Sequence, residues 1–161
     1  MNREEEKDGG RQLPVFVYGT LRPGEKNYPR YLQGRSLREV PATVAGELFY
    51  IAAGGYPYLL PGRERVQGEL IDLDPVVYPE VMQRLDALEE YDPADEPGSV
   101  YLRRTADVRT ADGTERKAWV YYWNRPEARG KKVESGDFRK SEGSQESEKR
   151  GQRTEGRIAD Q

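Results

Sequence analysis

Apolar and polar positions along this chain fall mostly into short β-type runs separated by Gly and Pro, with one stretch of helical period. Val15-Phe16-Val17 opens the series as a compact β-favouring run. It breaks at once into Tyr18-Gly19-Thr20-Leu21-Arg22-Pro23-Gly24, where Gly19 permits a sharp turn and Pro23-Gly24 closes a loop. Thr43 to Ile51 and Arg65 to Leu73 are the next strands, and each carries a Gly-Glu-Leu triplet, Gly46-Glu47-Leu48 and Gly68-Glu69-Leu70. Glycine inside a strand marks a bulge, a bend or the close approach of another backbone, so a strongly curved sheet or small barrel is expected. Val100 to Arg109 and Glu115 to Asn124 form a hairpin around Asp112-Gly113. In its second arm Trp119, Tyr121 and Trp123 alternate with Ala118, Val120 and Tyr122, which predicts a strand covered on both faces.

The helix is expected from about Pro79 to Glu90, with Tyr78-Pro79 or Asp74-Pro75 as its start and Glu80 in the first turn. With Leu85 at zero and ~100° per residue, Val81 falls near -40°, Leu88 near -60° and Met82 near +60°, defining one apolar arc. Glu89 lies at ~40°, inside that arc, whereas Asp86 is at its edge near ~100° and Glu90 outside it near ~140°. A carboxylate on the buried side loses hydration, which disfavours its charged form and moves its pKa toward values useful for proton transfer. Glu89 is therefore a candidate acid/base, the alternative being a Glu at a frayed helix end that reaches water or an Arg partner.

Composition narrows the chemistry. The chain of 161 residues contains neither Cys nor His, which excludes disulfides, thiol nucleophiles, Ser-His-Asp triads and the usual zinc sites. An enzyme built from it must use carboxylates, tyrosines and backbone amides. Hydrophobic residues make up 35% and charged residues 34%, a polar balance that leaves part of the length outside a core. Residues 1–12, with Glu4-Glu5-Glu6-Lys7-Asp8, and residues 139–161, rich in Ser, Gly, Glu, Lys and Arg, are expected as disordered tails around a single folded segment, 13–138. The apolar runs fall short of the ~20 residues of a membrane span, and the acidic N-terminus is unlike a signal peptide, so cytoplasmic residence without membrane attachment is expected. A net charge of -3 offers no general attraction to nucleic acid.

Tyr18-Gly19-Thr20-Leu21 after an opening strand, with Leu85-Asp86-Ala87-Leu88-Glu89 downstream, resembles the gamma-glutamylcyclotransferase-like family. Arg22-Pro23-Gly24, Asn27, Gly55-Tyr56-Pro57, Gly68-Glu69-Leu70, Tyr101-Leu102-Arg103 and Ser135-Gly136-Asp137-Phe138 match further family segments in the expected order. The resemblance implies an α+β fold, a small mixed, strongly curved β-barrel with flanking helices. It also implies a reaction in which the α-amine of a γ-glutamyl group attacks its own γ-carbonyl, forming 5-oxoproline and releasing an amine or amino acid. Glu89 would be the single acid/base, and Tyr18, Gly19, Thr20 and Leu21 would hold the substrate carboxylate or developing oxyanion, with neither metal nor organic cofactor. Tyr101 is a further substrate-binding candidate, whereas Arg103 reads as a surface or structural ion-pair residue and Tyr56 as packing.

One departure from the family pattern is Glu90, where many members carry Gly. With the acidic loop Asp92 to Gly98, if that loop borders the site, it would form an acidic rim suited to a cationic leaving group, with a γ-glutamyl amino acid, a γ-glutamyl amine and a γ-glutamylated biosynthetic intermediate all open as substrates. A noncatalytic module binding γ-glutamyl compounds is the alternative on the same fold. A nucleic-acid or protein interaction module, suggested by the aromatic strand and by Arg125, Arg129, Lys131 and Lys132, is disfavoured because those aromatics alternate as core residues do. The oligomeric state has no signature in the sequence.

Overall fold

The computed structural model describes residues 12–126 and 130–140; the expected tails therefore lie almost wholly outside the described residues, as does Arg129. The ordered elements are β1 (Val15–Val17), α1 (Tyr28–Tyr31), β2 (Ser36–Ile51), β3 (Tyr56–Leu73), α2 (Tyr78–Leu88), β4 (Tyr101–Thr110), β5 (Glu115–Trp123) and β6 (Lys131–Lys132), followed by a 3₁₀ turn at Phe138–Lys140.

Strand pairing runs β3-β1-β5-β4-β2, and β2 pairs back onto β3 to close a five-stranded barrel, with β6 on the outer end of β2. All neighbours in the ring are antiparallel except β1 and β5, which run parallel with Val15 opposite Trp119. The barrel is thus mixed and its helices few, the architecture the family resemblance implies. β2 and β3 are one long hairpin; both strands end where expected, at Ile51 and Leu73, but start earlier than the expected Thr43 and Arg65, at Ser36 and Tyr56.

The two Gly-Glu-Leu triplets serve different purposes. At Gly46 the register slips: Gly46 faces Glu64 while Glu47 faces Leu60, a bulge that bends the hairpin. At Gly68 a Cβ would run into the Val17 carbonyl and the Phe16 ring, so only glycine lets β1 lie this close to β3.

Alternation along the strands separates two cores. Phe16, Val44, Leu48, Leu59, Val66, Leu70, Val108, Ala118 and Val120 fill the barrel interior, and Phe138 plugs the same cluster. Val15, Val17, Ile71, Tyr121 and Trp123 face outward and are covered by Val81, Met82 and Leu85 of α2. Each of these helix side chains contributes roughly 1.5–3 kcal/mol by leaving water. β5 is buried on both faces, as its composition predicts.

α2 begins with Pro79 at its N-terminal turn, and Asp74 Oδ1 accepts the Val76 amide at 2.9 Å to form the turn that precedes it. It ends two residues earlier than expected. The Glu90 amide bonds the Ala87 carbonyl at 3.2 Å and the Tyr91 amide the Asp86 carbonyl at 2.9 Å, the paired bonds of a Schellman motif. Glu89 is the last residue before the turn, and Glu90 takes the left-handed position with φ 53°.

Candidate active site

The end of β1, the end of α2 and the starts of β3 and β4 meet around one cavity of about 320 Å³. Its wall contains Tyr18, Gly19, Thr20, Leu21, Glu89 and Tyr101, all six residues singled out from the sequence. It also contains Tyr56, Pro57, Tyr121, Asn27, Lys26 and Glu90.

The opening loop is held rigidly. The Arg22 amide bonds the Gly19 carbonyl at 3.1 Å, the Asn27 amide bonds the Thr20 carbonyl at 2.9 Å, and Asn27 Nδ2 donates to Thr20 Oγ1 at 2.9 Å. Gly19 lies so close to the Pro57 ring that a Cβ would collide with it. The amides of Gly19, Thr20 and Leu21 find no acceptor among the described residues, so three successive N–H groups on the cavity wall are left for a ligand.

Arg22 anchors this loop from behind. Only 5% exposed, it gives Glu69 a bidentate pair at 2.7 and 3.1 Å and reaches Asp137 Oδ1 at 2.9 Å. Arg139 adds bonds to Glu25 and to the Pro23 carbonyl. Three of the segments that carry the family resemblance, Arg22-Pro23-Gly24, Gly68-Glu69-Leu70 and Ser135 to Phe138, thus meet in one charge network. Sequence reasoning missed this role, because nothing local distinguishes a buried arginine from an exposed one.

Glu89 lines the same cavity as the loop. Its residue keeps partial exposure, onto the cavity, while protein surrounds the carboxyl, whose pKa rises from 4.5 to about 8. Burial is the main cause, followed by the charges of Asp86 and Glu90. Its place at the C-terminal end of α2 acts in the same direction, since the helix dipole is negative there. Its neighbour Asp86 is engaged instead: Tyr121 donates to Asp86 Oδ1 at 2.6 Å, and Arg103 Nε lies 3.0 Å from the same oxygen. Arg103 stacks over Trp119 at 4.3 Å and near Tyr91 at 5.6 Å, the structural ion pair expected of it. Asp86 also has a raised pKa from burial, opposed by Tyr121 and Arg103.

Tyr18 donates to the Tyr121 carbonyl at 2.7 Å and Tyr101 to the Pro57 carbonyl at 3.0 Å. Burial first, and the nearby Glu89 carboxyl among further causes, push both phenols well above the usual tyrosine range. Both are neutral wall groups, and their donated protons already fix the cavity's shape. Tyr101 also sets its ring edge against Trp123 at 5.2 Å, and Tyr58 stacks on that indole at 4.7 Å. The aromatic strand is thus core, and Lys132 and Arg125 are paired, with Glu64 and the Gly98 carbonyl respectively. Among the described residues no cluster of three or more carboxylates is arranged to hold a metal ion.

A closed mixed barrel with a protonatable carboxyl in one cavity with an amide-rich loop defines the structural class. The chain belongs to the family described as gamma-glutamyl cyclotransferase, AIG2-like, whose model matches residues 15–140. It is 36% identical over 111 residues to the gamma-L-glutamyl-butirosin B gamma-glutamyl cyclotransferase of Niallia circulans, covering 69% of this chain and 67% of that protein. It is 31% identical over 131 residues to the gamma-glutamylcyclotransferase family protein YtfP of Escherichia coli K12, covering 78% and 96%. An uncharacterized protein from Pyrococcus horikoshii has a similar solved structure, with TM-score 0.52, 26% identity and 79% and 90% coverage.

Proposed function

We propose that this protein cyclises a γ-glutamyl group to 5-oxoproline and releases the attached amine or amino acid, with Glu89 as the single acid/base. The observation that carries this reading is the Glu89 carboxyl, with a pKa of about 8, in the same cavity as three unpaired loop amides. The Niallia circulans relative, named for action on a γ-glutamyl compound, supports the same reaction class.

In its ionised form Glu89 takes a proton from the substrate's α-ammonium. The freed amine attacks the γ-carbonyl carbon, the five-membered ring closes, and the carbonyl oxygen becomes an oxyanion. Amides of Gly19, Thr20 and Leu21 donate to that oxyanion, or to the substrate carboxylate, where donors fixed before reaction stabilise most. Protonated Glu89 then delivers its proton to the leaving nitrogen as the original C–N bond breaks and the oxyanion re-forms the carbonyl; Glu89, ionised again, takes the second proton from the ring nitrogen and passes it to the released amine, leaving a neutral lactam and an ammonium. Because attack is intramolecular, the chief requirement is that the glutamyl chain be curled and held, and the walls of Tyr18, Leu21 and Tyr101 supply that. This chemistry calls for one base and fixed donors, not for a metal or organic cofactor.

The test is 5-oxoproline release from a panel of γ-glutamyl amino acids and amines. Wild type is expected to turn over at least one, and Glu89→Gln, folded, none. Binding without turnover by wild type would replace this reading with a γ-glutamyl-binding module.

A further inference from the structure

Glu90 is the one non-glycine residue with positive φ among the described residues. A left-handed position costs a side chain roughly 1 kcal/mol more than glycine, and strain of this kind concentrates where a side chain has work to do. Glu90 is exposed and lines the cavity beside Glu89; its backbone bonds the Ala87 carbonyl and the Val100 amide, while its carboxylate has no hydrogen bond or ion pair among the described residues.

The neighbouring acids are committed elsewhere. Glu96 pairs with Arg104 at 2.8 Å, Asp95 accepts the Gly98 amide at 3.2 Å and Asp92 the Ala94 amide at 2.9 Å. Of the charged groups in the cavity wall, Lys26 lies on the opening-loop side, next to the amides suited to the anionic end of a glutamyl chain. Glu90 follows Glu89 at the end of α2, on the element that carries the carboxyl proposed to reach the leaving nitrogen. In the orientation proposed above, a group attached to that nitrogen extends past Glu90.

We infer that Glu90 is a specificity residue that receives a second, cationic amine on the leaving group, so that the site favours γ-glutamyl amides of diamines over those of neutral amines. The inference rests on the site orientation proposed above. It also accounts for a carboxylate at a position where glycine would relieve the backbone.

Two probes isolate the charge: the γ-glutamyl amide of 1,4-diaminobutane and that of pentylamine, which carries a methyl in place of the terminal ammonium. The ratio of their kcat/KM values is the readout, because Glu90 also raises the Glu89 pKa and absolute rates shift with it. A solvent-facing ion pair predicts a wild-type preference for the cationic amide of about two-fold to five-fold. The ratio falls to near one in Glu90→Gln, and in wild type at about 0.5 M salt. The same ratio is read in Kd by calorimetry on Glu89→Gln, where no turnover intervenes. Equal affinity of wild type for the two amides, or a preference unchanged in Glu90→Gln, overturns the inference. Selective binding without 5-oxoproline release upholds it and removes the catalytic reading. Binding of neither amide removes both.

Discussion

Replacing Glu89 by Gln is expected to abolish turnover and, at neutral pH, to stabilise the fold. The carboxyl titrates at about 8 when folded against 4.5 unfolded. Between those values the unfolded chain releases its proton while the folded chain keeps it, so rising pH draws wild type toward unfolding by up to ~1.4 kcal/mol per pH unit. One face of Glu89 meets the solvent of the cavity, which screens part of that cost, and about half is retained. The net figure at pH 7 is about 2 kcal/mol in favour of Glu89→Gln, or roughly 8 °C in Tm for a domain of this size. Urea midpoints of both proteins from pH 4 to 9 measure it. The two coincide below pH 4.5, diverge as pH rises, and stop diverging above pH 8. Parallel stabilities across this range, or a less stable variant at pH 8, would refute the assignment of a desolvated carboxyl. Undiminished 5-oxoproline release would refute its role as the base. Opposite signs for stability and activity distinguish a working acid from a packing residue.

Three further outcomes follow from the geometry. Glu90→Gly relieves the left-handed backbone and is expected to gain about 1 kcal/mol in urea denaturation, whereas Glu90→Gln keeps the strain and gains none. Asp86→Asn removes a charge that raises the Glu89 pKa, so the limb of the kcat/KM profile where Glu89 ionises moves to lower pH by up to about one unit, with a stability loss of about 1–2 kcal/mol from Arg103. Arg22→Lys keeps the charge but loses the bidentate pair with Glu69 and the bond to Asp137; about 2 kcal/mol of stability is lost and KM rises as the loop loosens.

Strand runs and the burial of the Glu89 carboxyl were legible because both follow from period. Alternation located β2 to β5, and a ~100° helical step separated Glu89 from Asp86 and Glu90. Two kinds of information were not local enough to read. The end of α2 came two residues early because a Schellman turn, normally signalled by Gly, is here closed by Glu90. Burial of Arg22 depends on Glu69 and Asp137, and that of Tyr121 in the cavity wall on the docking of α2, so neither shows in its own neighbourhood. The alternatives for the two strand glycines were likewise decided only by partners: a register slip at Gly46 and an approaching carbonyl at Gly68.

The Arg22 network also sets when a site can exist. Its two carboxylate partners lie 47 and 115 positions further along the chain, so an early loop is locked by residues made well after it. During synthesis the amide-rich turn leaves the ribosome early, yet it gains its final bracing only when Asp137 has emerged and the barrel has closed. Truncation before that point removes the brace without touching the cavity wall. A fully braced loop therefore reports that the chain has been made through Asp137.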